Sequence, residues 1–280
     1  MRSSTLLWVL AGLLLGAMPS AAQSDSDPAP ETIYYAHDGL KLQAYLFRPQ
    51  GSGPFPIVVY NHGSRPGEER VEWSAPFVAR LLVPQGYAVL VPERRGYGKS
   101  EGAPFSEEIG EERGARYVER LQAETGDALA AFDHVANDRT SHVDPGRAAL
   151  MGYSFGGIVA TLGAAGTTRF RAVIVQAPGA LSWPRSTELQ AAMKDAASRI
   201  RVPIQCVVAQ NDATTESARA VCDGARAAGS HVELKIYPPF TPRQPVRAAA
   251  AGHALFSPIG ASVWGKDLIA FLAANVKPPR

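Results

Sequence analysis

The stretch Ala148-Ala149-Leu150-Met151-Gly152-Tyr153-Ser154-Phe155-Gly156-Gly157 decides how the chain is read. Four apolar residues lead into a G-x-S-x-G pentapeptide, and a run of small apolar residues, 155–165, leads out. The pattern places a serine hydroxyl at the tip of a sharp strand-to-helix turn. Glycines on either side let the main chain pass close to its neighbours, where a Cβ would clash. The helix that begins there presents free N–H groups to whatever reacts at the serine.

Outward from this point, short apolar runs alternate with helical patterns. Strands are predicted at 33–36, 42–47, 57–60, 87–91, 148–151, 172–176, 204–209 and 232–237, a set of eight. The first two form a hairpin around His37-Asp38-Gly39. Helices are predicted at 76–84, 116–136, 155–165, 214–228 and 263–274. The second is the clearest, with Val118, Leu121, Ala128, Leu129, Phe132 and Val135 at three- and four-residue steps. Strands alternating with helices argue for an α/β domain built on a mostly parallel sheet covered on both faces. No second-domain linker is visible. The span 178–201 has room for a small flap over the site, and 238–252 reads as a long loop.

A serine hydroxyl needs an adjacent base, and that base needs an orienting carboxylate. In sheets of this kind the chain order is serine, acid, histidine. After Ser154 two histidines remain, His231 and His253. His231 precedes the last strand, at its wrong end; His253 follows that strand, at the carboxyl edge where such sites lie. Asp212 stands at the exit of the preceding strand and is expected to be the acid, with a helix N-cap as its alternative role. Asp195 and Asp223 sit in helical patterns and fit less well. Two backbone donors are expected to hold developing negative charge: the N–H of Phe155, and that of Ser64 in Asn61-His62-Gly63-Ser64. His62 precedes the serine and is expected to be structural. The turn Pro92-Glu93-Arg94-Arg95-Gly96-Tyr97-Gly98-Lys99-Ser100 reads as solvated, with its charges paired locally, in preference to a turn that supports the site and offers an Arg or Tyr to substrate.

Composition excludes other classes. The 280 residues are 46% hydrophobic and 19% charged, which fits a folded domain. A formal net charge of +2 implies no nucleic-acid partner. No zinc-ligand spacing occurs, so neither metal nor cofactor is expected. Arg2, an apolar run at 6–17 and small residues up to Ala22 read as a secretory signal peptide, 1–22, with export to the periplasm or medium. No stable membrane span is then expected after cleavage. Residues 23–30 read as a flexible lead-in and 31–280 as the catalytic domain. Cys206 and Cys222 can form a disulfide or remain two buried thiols.

Together these motifs resemble the α/β-hydrolase superfamily, and within it the dienelactone hydrolase-like branch. Asp144-Pro145-Gly146-Arg147 and Ile236-Tyr237-Pro238-Pro239-Phe240, with Gly252-His253 behind it, extend the resemblance over nearly all of the chain from residue 31. It implies an α/β-hydrolase fold with a small lid or none. It also implies hydrolysis of a small carboxylic ester or lactone without a cofactor. Dienelactone hydrolases proper use a cysteine where this chain has Ser154. The prolyl-oligopeptidase branch shares the elbow and the residue order, so cleavage of short peptides is the alternative activity; a non-catalytic binding protein on the same fold is the third reading.

Overall fold

The computed structural model describes residues 28–243 and 251–277. The signal-peptide reading of 1–22, most of the lead-in and residues 244–250 of the long loop lie outside the described residues. Eight strands form one sheet: β1 (Glu31–His37), β2 (Leu40–Phe47), β3 (Phe55–Asn61), β4 (Ala88–Glu93), β5 (Val143–Tyr153), β6 (Ala172–Gln176), β7 (Ile204–Ala209) and β8 (Val232–Tyr237). Their spatial order is β1-β2-β4-β3-β5-β6-β7-β8. β2 pairs antiparallel with β1 and β4, and every other pairing is parallel. The sheet is the eight-stranded α/β-hydrolase arrangement expected from the sequence.

Local chemistry explains the elements. The hairpin turn is Asp38-Gly39, both at positive φ, the two-residue turn whose twist matches its strands. β3, β4, β6 and β7 are buried along their whole length, as parallel strands covered on both faces must be. β8, at the sheet edge, alternates instead between partly buried and exposed positions.

The helices are α1 (Pro76–Leu82), α2 (Phe105–Glu108), α3 (Ala115–Asn137), α4 (Phe155–Ala164), α5 (Thr187–Ala197), α6 (Glu216–Ala227) and α7 (Ala261–Asn275). α3, α4, α5 and α6 pack in succession, and α1 packs with α7. Of the span 178–201, where a small flap was expected, residues 187–197 form α5, which lies in the crossover between β6 and β7 and packs between α4 and α6. Its Leu189, Met193, Ala196 and Ala197 are buried, so it serves the core. Cys206 on β7 and Cys222 on α6 are joined in a disulfide. Bonds of this kind persist in oxidising compartments.

Candidate active site

Ser154 stands between β5 and α4 with φ 55° and ψ −115°, a conformation L-residues rarely adopt. Such backbone costs on the order of 1–3 kcal/mol and persists only where its surroundings dictate it. Here they do. Ser154 N–H donates to Gln176 O at 2.9 Å, and Ser154 O accepts from Ile158 and Gly179, both at 3.1 Å. The glycines are obligatory. A Cβ on Gly152 would lie 1.8 Å from Gly156 O, and one on Gly156 would lie 1.8 Å from Asn61 O.

The three side chains singled out in the sequence form one hydrogen-bonded line. His253 Nε2 lies 2.9 Å from Ser154 Oγ, and His253 Nδ1 lies 2.9 Å and 3.0 Å from the two carboxylate oxygens of Asp212. The Asp212 side chain is wholly buried and His253 nearly so. Asp212 sits in the turn after β7, where its N–H donates to Ala209 O at 3.1 Å and its carboxylate accepts from Ala213 N–H at 2.6 Å. His253 lies in a short 3-10 stretch, Ala251–Phe256. Two residues whose roles the sequence did not reveal hold the surroundings: Tyr153 fastens this stretch, and Asn211 ties the turn after β7 to Phe240. Tyr153 donates from its hydroxyl to His253 O at 2.9 Å, its ring 5.1 Å from the imidazole. Asn211 accepts from Phe240 N–H at 2.8 Å and donates to Phe240 O at 3.0 Å. A Cβ on Gly252 would lie 2.4 Å from Asn211 Oδ1, so the chain can pass there only as glycine. Tyr153 occupies the unrestricted position of the G-x-S-x-G pattern, and nothing in a linear reading points it at residue 253.

The two segments expected to supply backbone donors lie beside Ser154. Phe155 is the first residue of α4, where N–H groups have no preceding turn to bond. A Cβ on Gly63 would lie 3.3 Å from Ser154 Cβ, so the main chain at 62–64 runs alongside the serine. His62 does not face the site as a base. It is buried, and its Nδ1–H donates to Gly63 O at 2.7 Å. Burial, reinforced by the Arg94 guanidinium, pushes its pKa down to about 4 and keeps it neutral. His231 is exposed beside Glu233, at the start of β8.

The turn after β4 departs from expectation. Its charges are paired, but only Lys99 is exposed to solvent: Glu93 and Arg94 are completely buried. Arg94 Nε donates to Glu124 at 2.8 Å, and Arg95 donates to Asp127 at 2.7–2.9 Å. Glu93 accepts from Trp73 N–H at 3.1 Å and from Arg65. The carboxylates that meet Arg94 and Arg95 here come from α3, whose buried face carries Glu124 and Asp127 among apolar residues. Arg94 also donates to His62 O at 3.1 Å, so the turn braces the loop beside the serine. Among the described residues no group of three His, Cys, Asp or Glu could hold a metal ion.

Two cavities flank the elbow, of about 270 Å³ and 330 Å³. Ser64 lines both; Tyr153 lines the first and Phe155 the second.

Comparison with known proteins places this geometry among relatives. The model of the X-Pro dipeptidyl-peptidase (S15) family matches residues 38–229. The quorum-quenching protein AidA of Acinetobacter baumannii is 32% identical over 150 residues, covering 54% of this chain and 44% of AidA. The chain spans less than half the length of the curated relatives it matches. Among solved structures, the acylaminoacyl peptidase of Pyrococcus horikoshii superposes with a TM-score of 0.68 at 14% identity, covering 91% of this chain and 43% of that one. The esterase Pf2001 of Pyrococcus furiosus superposes with a TM-score of 0.63 at 16% identity, covering 89% of this chain and 93% of that one.

Proposed function

The chain belongs to the X-Pro dipeptidyl-peptidase (S15) family, and from that premise we propose that it is a serine hydrolase cleaving small carboxylic esters or lactones through an acyl-enzyme on Ser154. The observation that carries this reading is the unbroken hydrogen-bonded line from Asp212 through His253 to Ser154. Asp212, buried against Nδ1, fixes the tautomer in which Nε2 is the acceptor. Nε2 takes the hydroxyl proton as Ser154 Oγ bonds to the ester carbonyl. The N–H groups of Phe155 and Ser64 stabilise the oxyanion; losing one donor of this kind costs about 3–4 kcal/mol. The carbonyl–alkoxide bond then breaks, and His253 gives its proton to the departing oxygen. Water, deprotonated by the same imidazole, releases the acid and restores Ser154.

Esters are preferred over peptides because the esterase Pf2001 matches this chain over almost its whole length, whereas the acylaminoacyl peptidase has more than half its chain outside the match. The finer resemblance to the dienelactone hydrolase-like branch belongs to this reading and rests on the ordered motifs. The second reading, cleavage of short peptides by the same three side chains, is favoured by the family itself.

Ser154→Ala should lower turnover of a p-nitrophenyl short-chain ester by about 10⁴-fold or more and leave the melting temperature of the fold in place. The native protein should be labelled at Ser154 by a fluorophosphonate. Undiminished turnover in the variant would remove the assignment. A panel of short peptides run beside the esters separates the two activities.

A further inference from the structure

The two cavities beside the elbow differ in balance, the second being the more polar. The first is walled by five aromatic side chains, Tyr60, Trp73, Phe77, Tyr153 and Phe256, with the Trp73 and Phe77 rings stacked at 5.9 Å, and Arg65 and Glu68 also line it. Val71, 58% exposed, stands at its rim. The second carries Ser106, Glu111, Arg113, Ser182 and Arg185 together with the rings of Tyr97, Phe105 and Phe155.

The position of the imidazole decides which half of a substrate enters which cavity. In acyl transfer the histidine must reach the leaving atom, so the leaving group departs on the imidazole side of the serine. The first cavity is built from the chain that carries that imidazole. Phe256, Ser257 and Pro258 form one of its walls, and Tyr153, packed on His253 and bonded to its carbonyl, forms another. The second cavity takes no residue from that segment; its lining includes Phe155, the first residue of α4, and Leu181, Ser182 and Arg185. An apolar, ring-lined space of about 270 Å³ exceeds what a methyl or ethyl group fills and suits an aromatic ring, which packs edge-to-face or offset on its own kind.

Resting on the serine-hydrolase reading above, we propose that the aromatic cavity is a leaving-group site and that the enzyme selects esters of apolar, ring-sized alcohols, benzyl or larger, while the acyl half lies toward the polar cavity. In the step concerned, the Ser154 Oγ–carbonyl bond forms and the bond from the carbonyl carbon to the alcohol oxygen breaks. The electron pair leaves with that oxygen, and the proton taken from Ser154 is delivered to it by His253 Nε2. The aryl alcohol is released from the aromatic cavity, and the acyl group stays on Ser154 until water removes it.

The test uses two ester series on the full chain. In the first the acyl group is acetyl and the alcohol is ethanol, benzyl alcohol or 2-naphthylmethanol. In the second the alcohol is ethanol and the acyl group is acetyl or phenylacetyl. The benzyl-to-ethyl ratio of kcat/KM should be about tenfold or more in the native enzyme. It should fall toward unity in Trp73→Ala and in Val71→Arg, the latter an exposed change that leaves the core untouched. Benzyl alcohol should inhibit competitively, and more weakly in both variants. The phenylacetyl-to-acetyl ratio should not follow. A collapse of that acyl ratio instead would assign the aromatic cavity to the acyl half and overturn the proposal. Unchanged ratios in both variants would overturn it as well. A native enzyme that turns over no ester and takes no fluorophosphonate would remove the hydrolase reading itself, a result distinct from either.

Discussion

The elbow at Gly152–Gly157 and the turn at Glu93–Ser100 press on the same loop, residues 61–64, by opposite means. The elbow does so with bare main chain: Gly156 approaches Asn61 O so closely that a single Cβ would be 1.8 Å from it. The turn does so with buried charge: Arg94 donates to His62 O at 3.1 Å and is itself neutralised by Glu124. One brace is steric, the other electrostatic. The steric brace tolerates no added atom. The electrostatic one tolerates replacement provided both partners of a pair change together, because a buried ion pair is expensive to break and of little net worth to keep.

The sharpest way to break this contrast is Gly156→Ala. One methyl group at the elbow should destabilise the fold by more than about 5 kcal/mol, among the largest effects a single substitution produces. Urea unfolding would measure it. A loss under about 1 kcal/mol would mean the loop yields, and that the brace is not steric.

Arg94→Met should cost about 3–5 kcal/mol, because it strips the buried Glu124 carboxylate of the closer of its two guanidinium partners and leaves it with Arg120 alone. Adding Glu124→Leu should recover most of that loss. Arg120, the other neighbour of Glu124, keeps Glu108 as a partner. A double variant no more stable than Arg94→Met would show that the turn depends on the charges themselves.

The smallest of the three effects is read by pH. His62 in the folded chain takes up its proton only near pH 4, because it is buried beside Arg94; when unfolded it does so near 6.5. Between these values the unfolded chain binds more protons, so stability rises with pH. The contribution is complete above about pH 6.5 and lost as the pH falls toward 4, on the order of 3 kcal/mol in all. His62→Gln should flatten the pH dependence of the urea midpoint over that window relative to the native chain. An unaltered slope would show that the ring protonates in place without harm to the loop.

The difference between the two braces is also the difference between what could and could not be read from the chain. The elbow was legible because its requirements are local: an apolar strand, two glycines about a serine, a small-residue helix. The strands at β6, β7 and β8 fall at their predicted limits for the same reason, since a largely apolar run in β6 and β7, or an apolar–polar alternation in β8, signals itself within a few positions. Residues 154, 212 and 253 were singled out by chain order and strand exits, and the fold brings them to one edge of the sheet. The Glu93–Ser100 turn was misread as solvated. Local composition cannot tell a surface Arg-Arg from one that meets Glu124 and Asp127 some thirty residues on.

By itself, then, the amino-acid order determined the alternation of strands and helices, the hydroxyl at a forced turn, and which histidine and carboxylate could follow it. Tertiary structure alone decided the pairing of Cys206 with Cys222, the fastening of His253 by Tyr153, the tie from Asn211 to Phe240, and the split between a more aromatic and a more polar cavity beside the elbow. Periodicity and glycine sterics act over a few residues and leave their mark in sequence. Contacts between side chains far apart in the chain exist only once the sheet has twisted and its helices have packed.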